Sequence, residues 1–372
     1  MTVDANLSAR INIMRILLIS GIVFVHVPFD PQTSPYLGTY GAFDWLRVFL
    51  ADSLFRIGVP CLSAISGYLL FRRGLEAFNY RKVVVNKART VALPFLIWNL
   101  GFALVASLVI ALGFGDGYLP NLAEASLREL MTHLLAAEDY PVNLPLYFLR
   151  DLFICVLMSP CFVWALRRAP LLTLIGLFLV AIVPQIPAVV VLKSSIPFSF
   201  SLGIYIALNR IDVKALDPHA QLGTALLFAA AISLACLLYW NGNDYPQWLE
   251  MTRNVLSILG AAGFWAMSAL LVKSRIGQRL SRTGSLSFWI FCSHYPVLLI
   301  FWMVWGKIGG DFYPLYFVLA VATLFPILIL SHAAVRTLSP RLYGLLTGGR
   351  TEKAVKALQP AQVPQHLSSQ QR

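Results

Sequence analysis

Charged residues are scarce in this sequence. They make up 12% of its 372 residues, whereas 58% are hydrophobic and the mean hydropathy is +0.72. Soluble domains carry about 25% charged residues, and a soluble surface with half that share would expose large apolar patches. The composition therefore excludes a soluble protein and predicts an all-α, polytopic membrane protein.

Cysteine and acidic residues are also few. The five cysteines form no CxxC pair, and neither they nor His26 and His294 have the spacing of metal ligands. We therefore expect neither a disulfide framework nor a metal site. The 17 acidic residues stand against 29 basic ones. In a soluble protein that excess would suggest nucleic acid, but in a membrane protein it reflects basic cytoplasmic loops, so no nucleic-acid partner is expected.

The sequence contains about ten apolar runs, and a helix that crosses the hydrocarbon core takes about 20 such residues. The runs cover residues 11–29, 49–71, 90–112, 145–166, 171–192, 195–208, 222–239, 255–272, 285–304 and 314–335. Charged or Pro/Gly-rich segments separate them, as expected of loops. The sequence thus predicts about ten transmembrane helices in the lipid bilayer.

The basic residues predict the orientation of these helices. Most Lys and Arg residues lie at 72–89, 167–168, 210–214, 273–282 and after the last run, on one side of the predicted topology. The opposite loops have few, and the longest of them, residues 116–139, is acidic. The positive-inside rule then gives N-in/C-in. We expect a cytoplasmic N-terminus at 1–10, a transmembrane domain at 11–340 and a disordered cytoplasmic tail at 341–372.

Two ionisable residues lie in the first predicted span, where burial costs several kcal/mol unless the group is paired or hydrated. Arg15 and His26 are eleven residues apart, which on a helix means about 20° from the same face and about 16 Å along the axis. Alone, Arg15 is also explained as an interfacial anchor and His26 as a core histidine bonded to a carbonyl. Together, a cation near the cytoplasmic mouth and a deeper neutral imidazole suit an elongated anionic ligand whose reactive end reaches a base.

Five segments resemble, in order and spacing, the acyltransferase-3 family of integral membrane acyltransferases. The first is MRILLISGIVFVHVPF (14–29), with ten residues between its Arg and its His. The others are FRIGVPCLSAISGYLLFRR (55–73), RTVALPFLIW (89–98), LYFLRDLF (146–153) and SFWIFCSHYPVLL (287–299). The resemblance covers roughly residues 11–335. Within the family, the length and the lack of a fused extracytoplasmic domain are most similar to the type that succinylates succinoglycan.

The resemblance implies transfer of an acyl group, acetyl or succinyl, from cytoplasmic acyl-CoA to a hydroxyl of an extracytoplasmic or lipid-linked polysaccharide at a bacterial inner membrane. His26 would be the general base and Arg15 its partner in the motif. Acyl-CoA would be a co-substrate and not a permanently bound cofactor. Its phosphates need basic partners, for which Arg72, Arg73 and Arg89 are the candidates. The alternative for their loop is a purely topogenic role.

The other ionisable residues in the spans have two explanations each. Asp52 and Arg56 have i,i+4 spacing and are expected to neutralise each other. Alternatively, a cavity that holds the acceptor sugar or the far end of a dicarboxylic acyl group is lined by Arg56, Tyr147, Arg150 and Asp151. His294 is explained equally by a hydrogen-bonded core position and by a catalytic or substrate contact, since Pro296 frees a carbonyl nearby. Trp98 is a further cavity candidate.

Two other classes of function remain open. A secondary transporter or flippase of a glycan or small anion would also carry buried ionisable residues, although the sequence shows no internal repeat and no matched pair of broken helices. A structural partner of a polysaccharide synthesis complex would bind through the acidic loop at residues 116–139. Acyl-CoA turnover without vectorial transport distinguishes the enzyme from the transporter.

Overall fold

The computed structural model describes residues 5–115, 117–184 and 190–349, and within these ranges the chain is helical and contains no strand. The first helices are α1 (Ala5–Val25), α2 (Ala42–Phe71), α3 (Tyr80–Ala111), α4 (Leu127–Leu135), α5 (Leu144–Leu157), α6 (Ser159–Arg168) and α7 (Pro170–Ile182). They are followed by α8 (Ser195–Leu208), α9 (Asp217–Asp244), α10 (Gln247–Leu271), α11 (Arg275–Leu280), α12 (Gly284–Lys307), α13 (Tyr313–Leu338) and α14 (Pro340–Thr347). Both α2 and α3 include a π-helical turn, at Phe49–Leu54 and Ala88–Ala92.

Seven of the described helices are long and apolar enough to cross a membrane, namely α1, α2, α3, α9, α10, α12 and α13. Together α5 and α6 would make an eighth span. The remaining two predicted spans correspond to α7 and α8, which have 13 and 14 residues and fall short of the usual length of about 20. The all-helical membrane architecture is confirmed, while the count of about ten and the N-in/C-in orientation stay predictions.

The span predicted at residues 145–166 is a broken helix. α5 and α6 meet at an angle of 58°, and Pro160 lies in the first turn of α6. Proline has no amide hydrogen, and its ring clashes with the carbonyl four residues earlier. The chain therefore cannot continue as one straight helix and changes direction after Leu157.

The α2 and α8 helices pack with their backbones in contact. A Cβ atom added at Gly67 or at Gly203 would overlap a backbone carbonyl oxygen of the other helix. Small residues at such positions let two membrane helices approach closely. Two cavities lie at opposite ends of α8, since Ser195 at its start lines one of them and Leu208 at its end lines the other.

The first turns of α1 belong to the folded body, although residues 1–10 are predicted to be a cytoplasmic segment. Arg10 is fully buried. Its guanidinium donates to Asp217 at 2.9 Å and to the Ser268 hydroxyl at 3.0 Å, and it lies 3.9 Å from the centre of the Trp265 ring. A buried cation is tolerated when it is paired in this way.

Helix α14 packs on the body at the start of the predicted tail. Tyr343 is buried, and its hydroxyl lies 2.9 Å from Nε2 of His332. The indole nitrogen of Trp98 donates to the carbonyl of Leu346 at 3.0 Å. Trp98 therefore contacts the last described helix and lines neither of the cavities discussed below. Residues 350–372, the rest of the predicted tail, lie outside the described residues.

Candidate active site

His26 is the first residue after α1. The helix ends at Val25, before the predicted residue 29, because Pro28 disfavours the helical conformation in the residue that precedes it. The His26 amide still donates to the Val23 carbonyl at 3.1 Å. The half-buried His26 side chain is therefore held at the end of the helix.

The ring of His26 contacts the ring of His294 from α12. Nδ1 of His26 lies 3.2 Å from Nε2 of His294, and the ring centres are 5.2 Å apart. His294 is fully buried, and its Nδ1 lies 2.9 Å from the carbonyl oxygen of Ile290. His294 is therefore a hydrogen-bonded core residue that also touches His26, while its catalytic or substrate-contact role stays a prediction.

When both rings are neutral, these contacts favour one tautomer of each ring. A carbonyl oxygen only accepts, so Nδ1 of His294 carries a proton and donates to Ile290. In a neutral imidazole the other nitrogen is an acceptor, so Nε2 of His294 accepts from Nδ1 of His26. This leaves Nε2 of His26 without a proton and able to accept one.

A proline and an asparagine connect α12, near His294, to neighbouring segments. Pro296 has no amide hydrogen and leaves the carbonyl of Cys292 without its usual helical partner. The side-chain amide of Asn143 donates to that carbonyl at 3.0 Å, and the Asn143 backbone amide donates to Oδ1 of Asn99 at 2.9 Å. The segment before α5 and helix α3 are thus tied to α12 at the level of the histidine pair.

His26 lines a cavity of about 500 Å³, which we call the histidine cavity. Its polar lining side chains are His26, Arg56, Tyr140, Tyr147, Lys193, Ser194, Ser195, Glu250, Arg253, Asn254 and Ser257. So many polar groups inside a membrane protein indicate a site for water or a polar ligand. Within the described ranges, no three His, Cys, Asp or Glu side chains are placed to hold a metal ion.

The two arginines of the histidine cavity are each paired with a carboxylate. Nη2 of Arg56 donates to Asp52 at 2.8 Å, across the predicted i,i+4 spacing. Nη2 of Arg253 donates to Glu250 at 3.2 Å. Arg56 thus neutralises Asp52 and lines the cavity at the same time, so the two explanations given for it are compatible.

A second cavity, of about 1210 Å³, lies at the other end of α8, and we call it the basic cavity. Its lining brings together basic side chains from three of the loops predicted to be cytoplasmic, namely Arg72, Arg73, Arg167 and Arg210. Guanidinium groups bind phosphates with charge-assisted, often bidentate hydrogen bonds. The basic cavity therefore has the chemistry to hold a phosphorylated ligand. Arg89 is exposed and is not part of this lining.

Besides Arg89, Trp98 and His294, three further candidate residues line neither cavity, namely Arg15, Arg150 and Asp151. Arg15 is half-buried on α1. Arg150 and Asp151 lie behind the histidine cavity, where the fully buried Asp151 carboxylate accepts from Arg150 at 2.8 Å. Its other oxygen accepts from the amides of Leu192 and Lys193 at 2.8 and 3.0 Å. Because both oxygens are used in this way, Asp151 holds the segment before α8 and does not face a ligand.

Comparison with known proteins identifies the family of the chain that forms these two cavities. An acyltransferase-domain family model matches residues 8–332, from the first turns of α1 into α13. The chain belongs to the acyltransferase-3 family. The resemblance carried by the five sequence segments is confirmed, and this multi-span membrane protein is an acyltransferase. All the residues named in the two cavities lie inside the matched region.

A named relative is similar to the acyltransferase over its whole length. Succinoglycan biosynthesis protein ExoH of Rhizobium meliloti (strain 1021) is 53% identical over 370 residues, which are 99% of this chain and 100% of the relative. No solved structure matches the acyltransferase.

Some lining residues of the acyltransferase are not among the candidates from the sequence. In the basic cavity, the sequence analysis uses Arg167 and Arg210 only to predict the orientation in the membrane, and not as ligand-binding residues. In the histidine cavity, Glu250 and Arg253 form an i,i+3 pair in the first turns of an apolar helix, and that spacing was an available signal. Lys193 lies in a short loop without a motif, so no sequence pattern selects it.

Proposed function

We propose that this acyltransferase transfers a succinyl group from succinyl-CoA to a hydroxyl of succinoglycan or of its lipid-linked precursor, with His26 as the general base. The observation that carries the proposal is the contact of His26 with the buried His294 at the wall of a polar cavity. The name of the relative, a succinoglycan biosynthesis protein, supports the choice of polysaccharide. Acetyl is the other acyl group that the family resemblance implies.

In this proposal the donor enters from the cytoplasm, with the acyltransferase N-in/C-in in the bacterial inner membrane. The four arginines of the basic cavity bind the phosphates of CoA. Helix α8, which separates the cavities, has 14 residues and is about 20 Å long, comparable with a pantetheine arm. In the proposal the nucleotide stays in the basic cavity while the thioester reaches His26.

In the chemical step, Nε2 of His26 takes the proton of the acceptor hydroxyl while its oxygen attacks the thioester carbonyl. A C–O bond forms, the C–S bond breaks, and the proton passes from His26 to the departing thiolate of CoA. A positioned base contributes typically about 10²–10⁴-fold. Negative charge that develops on the carbonyl oxygen needs hydrogen-bond donors, and Arg56 and Tyr147 in the same cavity carry such groups.

Arg15 is proposed to guide the donor. It lies on α1 about three turns before His26, and it has no hydrogen bond or ion pair with another described residue. A half-buried cation in this position attracts the anionic donor towards the end of the helix where His26 lies.

The test uses purified protein in detergent, with succinyl-CoA and a lipid-linked oligosaccharide or polysaccharide acceptor. Release of CoA and mass spectrometry of the glycan report the transfer. We expect His26→Ala to abolish the transfer and to leave membrane insertion intact. His219→Ala serves as the matched control because His219 is exposed and lines neither cavity.

Full activity of the His26→Ala variant would contradict the assigned base. Transport of a glycan into vesicles without any acyl transfer would contradict the enzyme and favour the transporter. Transfer that depends on the loop at residues 116–139 but not on His26 would favour the structural partner.

A further inference from the structure

Lys193 lies at the wall of the histidine cavity, in the short segment before α8. Its side chain is half-buried. Among the residues that the structure describes, its ammonium group has no hydrogen-bond or ion-pair partner. A lysine in a membrane protein that is partly withdrawn from water is costly unless something pairs with it, so this position is suited to binding an anionic group.

The backbone of Lys193 is held firmly from behind. The Lys193 amide donates to the buried Asp151 carboxylate at 3.0 Å. Arg150 donates to the same carboxylate and to the carbonyl of Val190, each at 2.8 Å. The lysine is thus anchored at its main chain, and this anchoring keeps the start of its side chain fixed at the cavity wall.

The other charges of the cavity are balanced. Arg56 is paired with Asp52 and Arg253 with Glu250. Lys193 therefore leaves the cavity with an excess of one positive charge. The first residue of α8, Ser195, lines the same cavity, and the N-terminal end of a helix adds a partial positive charge. A carboxylate on a ligand complements this arrangement.

We infer that Lys193 binds the free carboxylate of a dicarboxylic acyl group while the thioester end of that group lies at His26. The inference rests on the proposed function and makes Lys193 the residue that selects succinyl over neutral acyl groups. An ammonium–carboxylate hydrogen bond in a partly desolvated site is among the stronger ones. A neutral acyl group of the same length cannot form it and leaves the ammonium unpaired.

The test compares succinyl-CoA with its monomethyl ester, which has the same acyl chain without the charge, at a fixed acceptor. We expect the wild-type kcat/KM to favour succinyl-CoA by about 10- to 100-fold, the usual range for a hydrogen bond to a charged group. Lys193→Met should bring the two donors within about threefold by losing activity towards succinyl-CoA, and Lys193→Arg should keep most of the preference. Lys307→Met, at an exposed lysine outside the cavity, is the matched control and should keep it fully.

Both donors are compared on one protein sample, so a folding defect lowers both rates and does not imitate a loss of donor preference. Lys193→Gln provides a second neutral variant. If the wild type transfers the acyl group and both neutral variants keep the donor preference, the inference is overturned but the proposed function is not. The inference would also be overturned if the loss of activity in the Lys193 variants depended on acidic groups of the acceptor and not on the donor. Lys193 would then bind the glycan. Absence of transfer from either donor by the wild type would overturn the proposed function as well.

Discussion

Nδ1 of His26 and Nε2 of His294 lie 3.2 Å apart, although 268 residues separate them in the chain. The buried ring of His294 is fixed by the Ile290 carbonyl and in turn fixes the tautomer of His26. In the proposed mechanism His294 is therefore a positioning residue for His26, in the way that a buried hydrogen-bond acceptor orients the histidine of a hydrolase triad.

His294→Ala should lower kcat because His26 loses the acceptor that keeps its Nε2 free of a proton. We expect a fall of about 10²-fold, with little change in KM for the donor. His294→Gln should retain more activity, since its side-chain oxygen can accept the same bond. Steady-state kinetics of the two variants checks this, and equal losses in both would argue against a positioning role.

Arg72→Gln and Arg73→Gln should weaken binding of the donor because each removes a guanidinium group from the basic cavity. We expect KM for succinyl-CoA to rise about tenfold in each variant, the lower end for a charge-assisted hydrogen bond, with kcat little changed. Competition by free CoA measures the same contact without the acyl group. Arg81→Gln, at an exposed position in the first turn of α3 and outside the cavity lining, is the control. Normal KM values in both cavity variants would place the donor elsewhere.

Gly67→Ala should destabilise the protein because the added methyl group would overlap the backbone of α8. Overpacking of this kind costs about 1–3 kcal/mol or more, and it should appear as a lower melting temperature in detergent. Gly176→Ala in α7 is the matched control, since a Cβ atom there meets nothing within 4 Å. If both variants melted at the same temperature as the wild type, the close contact of α2 and α8 would be refuted.

The sequence predicts the helices well where apolar runs are long, as at α12 and α13, although each of these two has a proline in its interior. It places the ends less well, as α1 shows by ending at Val25 before Pro28. The predicted span at 145–166 is bent at Pro160, since a hydropathy run carries no information on direction.

Candidate residues that share a helix are predicted more reliably than those that meet across helices. Asp52 and Arg56 pair as their spacing indicates, because helical geometry alone brings them together. The contact of His26 with His294 depends on how α1 and α12 pack, which no local pattern records. The same limit applies to Asp151, whose partners come from a loop about forty residues later.

Asn99 lines neither cavity, yet it is the far end of a hydrogen-bond chain that reaches the Cys292 carbonyl of α12, two residues before His294. Its amide donates to the carbonyls of His133 and Leu134, and its oxygen accepts from Asn143, which occupies the carbonyl that Pro296 leaves open. Exchange of Asn99 for an apolar residue would release that support. Such a substitution would lower activity although Asn99 contacts no substrate. A screen for inactive variants would therefore recover changes at Asn99 as well as at His26 and His294.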